Sequence, residues 1–109
     1  MAENANYHML ERQNVGVSQN GDMVDMGAHN VLQGMFMRHT VGTAGVLKLQ
    51  HSASTDPSTF LDLDSFNLNT AGASFVTRTA FLRYVRWVTD AAVAGGPPVV
   101  SLWIVGKSG

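Results

Sequence analysis

Apolar residues in this chain recur at every second position over short runs, and turn-forming residues separate the runs. In residues 31–40, Val31, Met35 and Met37 share one face, and Leu32, Phe36 and Arg38 share the other. Residues 46–51 alternate more cleanly. Leu47, Leu49 and His51 oppose Val46, Lys48 and Gln50, the pattern of a half-buried strand with Leu47 and Leu49 inward. Further extended runs fall at 15–17, 23–26, 59–63, 74–79, 82–89 and 99–105. Asn20-Gly21 predicts a two-residue hairpin between the first two of these. Gly42-Thr43-Ala44-Gly45 predicts a turn, 52–58 a loop cornered at Asp56-Pro57, and 65–72 an Asn-rich loop. Ala94-Gly95-Gly96-Pro97-Pro98 forbids a helix before the last strand. No window sustains an apolar helical face; 75–93 comes nearest, but its Thr and Val content and alternation favour strands. About eight short strands at roughly ten-residue spacing predict an all-β fold, a single sandwich of jelly-roll or immunoglobulin-like type.

Residues 1–13 are polar and lack a sustained period. They read as an extended N-terminal arm anchored by Tyr7 and Leu10, with the sandwich domain over 14–109. The run 82–89 poses a different problem. Leu82, Tyr84, Arg86 and Val88 alternate with Arg83, Val85, Trp87 and Thr89, so each face carries an aromatic residue and an arginine. One small core does not account for both faces. Another chain over the second face is the expectation, with Trp87, Arg83, Tyr84 and Arg86 as contact residues, because outward aromatic and arginine side chains anchor interfaces. In the last strand both faces are apolar, which predicts a central or sandwiched strand with Trp103 in the core.

Composition sharpens this picture. Charged residues make up 14% of the 109, against ~25% in an average soluble domain, and the net charge is −1. A weakly charged surface resists association poorly, which favours life inside an assembly. No basic stripe marks a nucleic-acid partner. The longest dense apolar stretch is far too short to cross a bilayer. Cysteine is absent, which removes disulfides, thiolate nucleophiles and Cys-ligated zinc.

Sites of chemistry are sparse. The GKSG tail lacks the upstream glycine and following helix of a phosphate loop, so it reads as a solvated tail. Asp62 and Asp64, two apart, are expected on one side of a strand, and the residues after them do not fit a calcium loop. His8, His29, His39 and His51 are dispersed, with no metal-ligand spacing. His51 reads as a core-edge histidine with a backbone hydrogen bond. Met23, Met26, Met35 and Met37 read either as core filler or as a contact surface. No GxSxG or other catalytic constellation supports an enzyme, and no cofactor site is expected.

Three stretches, VLKLQHSASTDPSTFLDLDS, FVTRTAFLRYVRWVTD and VVSLWIVGKS, together resemble small structural proteins of tailed phages, most of all short capsid decoration (cement) proteins. The resemblance covers roughly two-thirds of the chain and leaves the first 40 residues unmatched. It implies a jelly-roll or immunoglobulin-like sandwich in the virion, on the capsid exterior. Its implied partners are the major capsid protein and further copies of the chain itself. A neck or tail-fibre module is the alternative within that class. A carbohydrate-binding module, stacking sugars on Trp87 or Trp103, is the alternative outside it.

Overall fold

The computed structural model describes residues 5–27, 29–95 and 97–107; residues 1–4 of the expected arm, Gly96 of the linker and the last two residues of the GKSG tail lie outside them. Eight strands run in chain order: β1 (Ala5–Asn14), β2 (Val24–Asp25), β3 (Val31–Thr40), β4 (Val46–Ser52), β5 (Leu61–Asn67), β6 (Gly72–Arg78), β7 (Tyr84–Thr89) and β8 (Val99–Lys107). They form two four-stranded antiparallel sheets, ordered β1-β8-β3-β6 and β2-β7-β4-β5. The chain is thus one long hairpin bent at β4–β5. Its two arms pair β1 with β8, β2 with β7 and β3 with β6, and the whole hairpin rolls over on itself. That is the jelly-roll arrangement within the expected sandwich class.

The hairpin is bent where the loop chemistry predicts a corner. Asp56 accepts the Ser58 N–H through its side chain, and Pro57 opens a single 3-10 turn over Pro57–Thr59. β3 and β4 match their alternation. Leu47 and Leu49 are fully buried, as are Leu32 and Phe36 opposite them in the other sheet. Phe36 of β3 and Phe66 of β5 stack across the sandwich at 4.8 Å, joining the two layers at the core.

Three expectations give way. Residues 5–14 are not a free arm but the edge strand β1, paired along β8, and Leu10, 2% exposed, lies in the core. Two register shifts in β1 break its period, which hides the strand from a two-residue pattern. Asn20-Gly21 makes no hairpin, because the strands on either side of it belong to different sheets. Instead Gly21 donates its N–H to the Trp87 carbonyl (2.8 Å) and lies flat against the indole, where a Cβ would sit 2.0 Å from Nε1. Finally, Leu49 pairs with Asp64 but Gln50 with Asp62, so Leu63 is the extra residue of a β-bulge. The bulge turns the two carboxylates apart. Asp62 accepts from Lys48 Nζ (3.1 Å) and Gln50 Nε2 (2.9 Å) on the outside of its sheet, while Asp64 accepts from Arg78 Nε (3.1 Å) of β6 in the other sheet.

Candidate functional site

The sequence singles out β7, and the structure supplies covers for both of its faces from within the chain. Val85 and Trp87 point into the core, and Trp87 is 9% exposed. Arg83, just before the strand, forms a bidentate pair with Asp25 of β2 (Nε–Oδ1 2.8 Å, Nη2–Oδ2 2.9 Å) and lies 5.2 Å from the Tyr84 ring centre. The hydrogen bond from Arg83, then that from the Gly27 N–H, holds the Asp25 carboxyl below the usual carboxylate range. Arg86 lies 4.3 Å over the Phe60 ring, donates from Nε to Gln50 Oε1 (3.1 Å) and from Nη2 to the Pro57 carbonyl (3.3 Å). Tyr7 donates its hydroxyl to the Asp25 carbonyl at 3.1 Å, so Asp25 ties β1, β2 and β7 together.

Of the six expected contact residues, Trp87 and Leu10 are therefore core residues. Arg83, Arg86, Tyr84 and Tyr7 retain exposed atoms, but the guanidinium groups of Arg83 and Arg86 and the hydroxyl of Tyr7 already have partners in this chain. Tyr7 and the edge of Trp87 do meet, with Asn6, His8, Met9, Asp22 and Val24, in a cleft between the β1 and β2 edges.

The uncovered surface lies on the other sheet. β8 is central there, and its inner residues Val100, Leu102 and Ile104 are buried in the core. Its outer residues Val99, Trp103 and Val105 are only partly covered. Trp103 is thus not the core residue that a strand apolar on both sides implies, because no layer of the described residues lies over it. The register sets His8, Trp103, Met35 and Phe75 in one row across all four strands. The imidazole of His8 stacks on the Trp103 indole (centres 4.7 Å apart, planes 19° apart). Phe75 is 78% exposed. The adjacent row holds Asn6, Val105, Gln33 and Thr77. None of these eight residues is a carboxylate, lysine or arginine. Between Trp103 and Phe75 the surface dips into a shallow depression of about 370 Å³, lined by Gln33, Met35, Thr77 and Val105. The signal for this surface was present in the outer half of β8, in Met35 and in Phe75, but alternation alone does not say which half is outer. Of the methionines, Met26 is core, Met35 and Met37 half-buried, and Met23 exposed.

Two polar clusters are structural. Ser101 Oγ accepts the Arg12 N–H (3.0 Å) and lies 2.9 Å from His39 Nε2. Ser101 is 1% exposed, Arg12 has φ of 44°, and the pair pins the second irregularity of β1. Among the described residues no carboxylate is hydrogen-bonded to His39, and no three acidic or histidine side chains converge as metal ligands. His51 Nδ1 accepts the Leu82 N–H at 3.0 Å, the core-edge role read from the sequence. Burial, then the charge of Arg78, holds its pKa below that of an ordinary imidazole.

No family model matches the chain, and no curated protein sequence matches it significantly. Among solved structures, the fold is similar to that of SPBc2 prophage-derived protein YomS, with a TM-score of 0.62 over 99% of this chain and 96% of that one, at 14% identity. At that identity the likeness is one of fold.

Proposed function

We propose that the chain is a non-enzymatic structural protein of a phage virion, a capsid decoration protein that docks on the shell through the outer face of β1-β8-β3-β6. The row His8–Trp103–Met35–Phe75 carries this reading: an aromatic strip without a carboxylate, lysine or arginine, on a sheet face that no other layer of the described residues covers. Such strips mark protein contact surfaces. The likeness to a prophage-derived protein, which runs nearly end to end on both chains, supports the phage setting. Many weak contacts suffice on a shell, because repeated copies add avidity. A glycan platform is the weaker reading of the same strip, since the His8 ring already occupies part of the indole surface that a sugar would stack on.

The test is association of the purified protein with phage shells that lack it. The expected result is copies spread over the shell in electron micrographs, a higher shell-disruption temperature, and loss of both on Trp103→Ala. A ring of copies at one vertex would move the protein to the neck or tail. Absence from the particle, or glycan binding that Trp103→Ala removes, would refute the reading.

A further inference from the structure

Each sheet has two edges, and the four edge strands are unequal. β1 carries Glu11 and Arg12 and two register irregularities, all of which discourage pairing with another strand. β2 is two residues long. β5 is bulged and carries Asp62 and Asp64. β6 has none of these protections, and Arg38 of β3 engages only its first residues, at the Gly72 carbonyl and Ser74 Oγ. Its seven residues, GASFVTR, pair with β3 without a register shift, and they include no proline. Arg78, the one charge, turns away to Asp64 and the Leu63 carbonyl. Proteins that live as monomers blunt such an edge; here three edges are blunted and the fourth is left open beside the most exposed aromatic side chain of the described residues.

We infer that β6 pairs with β6 of a second copy, antiparallel about a two-fold axis at Phe75. This assignment does not depend on the virion reading. The second copy is favoured because the strand is complementary to itself in that register. Phe75 falls opposite Phe75, Ser74 opposite Val76, Ala73 opposite Thr77 and Gly72 opposite Arg78, so no like charges meet. The phenyl rings form a cross-strand aromatic pair on the outer face. Two sheets become one of eight strands, and the row His8–Trp103–Met35–Phe75 runs on into its two-fold mate. The contact is small. A seven-residue strand is ~24 Å long, and the thinnest dimension of the fold is 18 Å. About 400 Å² per copy results, at the weak end of specific interfaces. The dimer is therefore concentration-dependent in solution.

Sedimentation of the full chain from about 10 to several hundred μM, the range a weak interface demands, is expected to show a monomer–dimer equilibrium. Phe75→Lys sets two lysines face to face and is expected to leave only monomer, while Trp103→Ala leaves the equilibrium unchanged. The chain has no cysteine, so Phe75→Cys reports the register directly: the paired Cβ atoms lie within ~5.5 Å, near disulfide reach. Under mild oxidation its covalent dimer is expected about tenfold faster than that of Leu61→Cys on the β5 edge, since pairing makes the reaction effectively intramolecular. Wild-type protein that stays monomeric throughout, a dimer that survives Phe75→Lys, or equal cross-linking at positions 75 and 61 overturns the inference. Loss of shell association by Trp103→Ala with the dimer intact separates this outcome from that of the virion reading.

Discussion

The two tryptophans should respond in opposite ways to truncation. Trp87 sits in the core against Leu49, its partner in β4, with Gly21 under its ring. Its replacement by alanine empties a volume that the surrounding strands cannot close, at a cost of about 3–5 kcal/mol. A domain of this length has about 5–15 kcal/mol in all, so the change removes roughly a fifth of the stability or more. Trp103 lies on the outer face, half-covered, and its main partner is the exposed His8 ring. Trp103→Ala gives up one stacked pair and partial burial, about 1 kcal/mol. With a urea slope of about 1.5 kcal/mol/M, the midpoint should fall roughly 2–3 M for Trp87→Ala and less than about 1 M for Trp103→Ala. Far-UV circular dichroism is the proper probe, since each variant lacks one of the two tryptophans whose fluorescence would otherwise be followed. Surface contacts should follow the reverse order, with shell association or other partner binding lost in the Trp103 variant and kept by Trp87→Phe. Equal destabilisation by the two alanine variants would refute the assignment of inner and outer faces in β7 and β8.

Three further outcomes follow from local geometry. Gly21→Ala drives a Cβ into the Trp87 indole, so it should cost at least ~1–3 kcal/mol and lower Tm by about 5 °C or more. Trp87→Phe in the same chain should recover part of that loss; strict additivity in the double mutant would contradict the contact. Arg38 spans the gap between the β6 and β5 edges, donating to the Asn67 and Gly72 carbonyls and to Ser74 Oγ. Arg38→Met should cost about 1–3 kcal/mol in urea unfolding, and a neutral result would show that those acceptors find water instead. His51 has a folded pKa below the ordinary 6.5, so the unfolded chain takes up its proton first as pH falls. Its contribution is unchanged well above that value and is progressively lost as pH drops below it. In His51→Asn, whose amide oxygen can still accept the Leu82 N–H, that part of the pH dependence between about pH 7.5 and 5 should vanish from urea midpoints; an unaltered slope would assign it elsewhere.

Much of the fold is legible in the sequence. β3 and β4 alternate because one face of each meets the core, and that face is set by Leu32, Phe36, Leu47 and Leu49. The Asp56-Pro57 corner follows from side-chain capping and the fixed proline φ, both local effects. The interaction surface was less legible. A two-residue period sorts side chains into two sets but does not say which set points inward. In β7 each set holds an aromatic residue and an arginine, and in β8 both sets are apolar, so the pattern leaves the direction open. Trp87 and Trp103 therefore exchanged the places that sequence reading gave them. The arginines of β7 looked unpartnered because Asp25, Gln50 and Phe60 are distant in sequence and adjacent only once the sheets assemble.

By itself the sequence determined what depends on neighbours along the chain: strands rather than helices, their approximate limits, the corner that bends the hairpin, and an unusually uncharged surface. Only the tertiary structure decided what depends on partners far along it. Ala5 finds Gly106 across the whole length of the chain, the bulge at Leu63 parts two carboxylates that alternation would align, and one sheet keeps an aromatic row on its open side. Burial is a property of layers, and that no layer of the described residues lies above Trp103 cannot be read from the residues beside it.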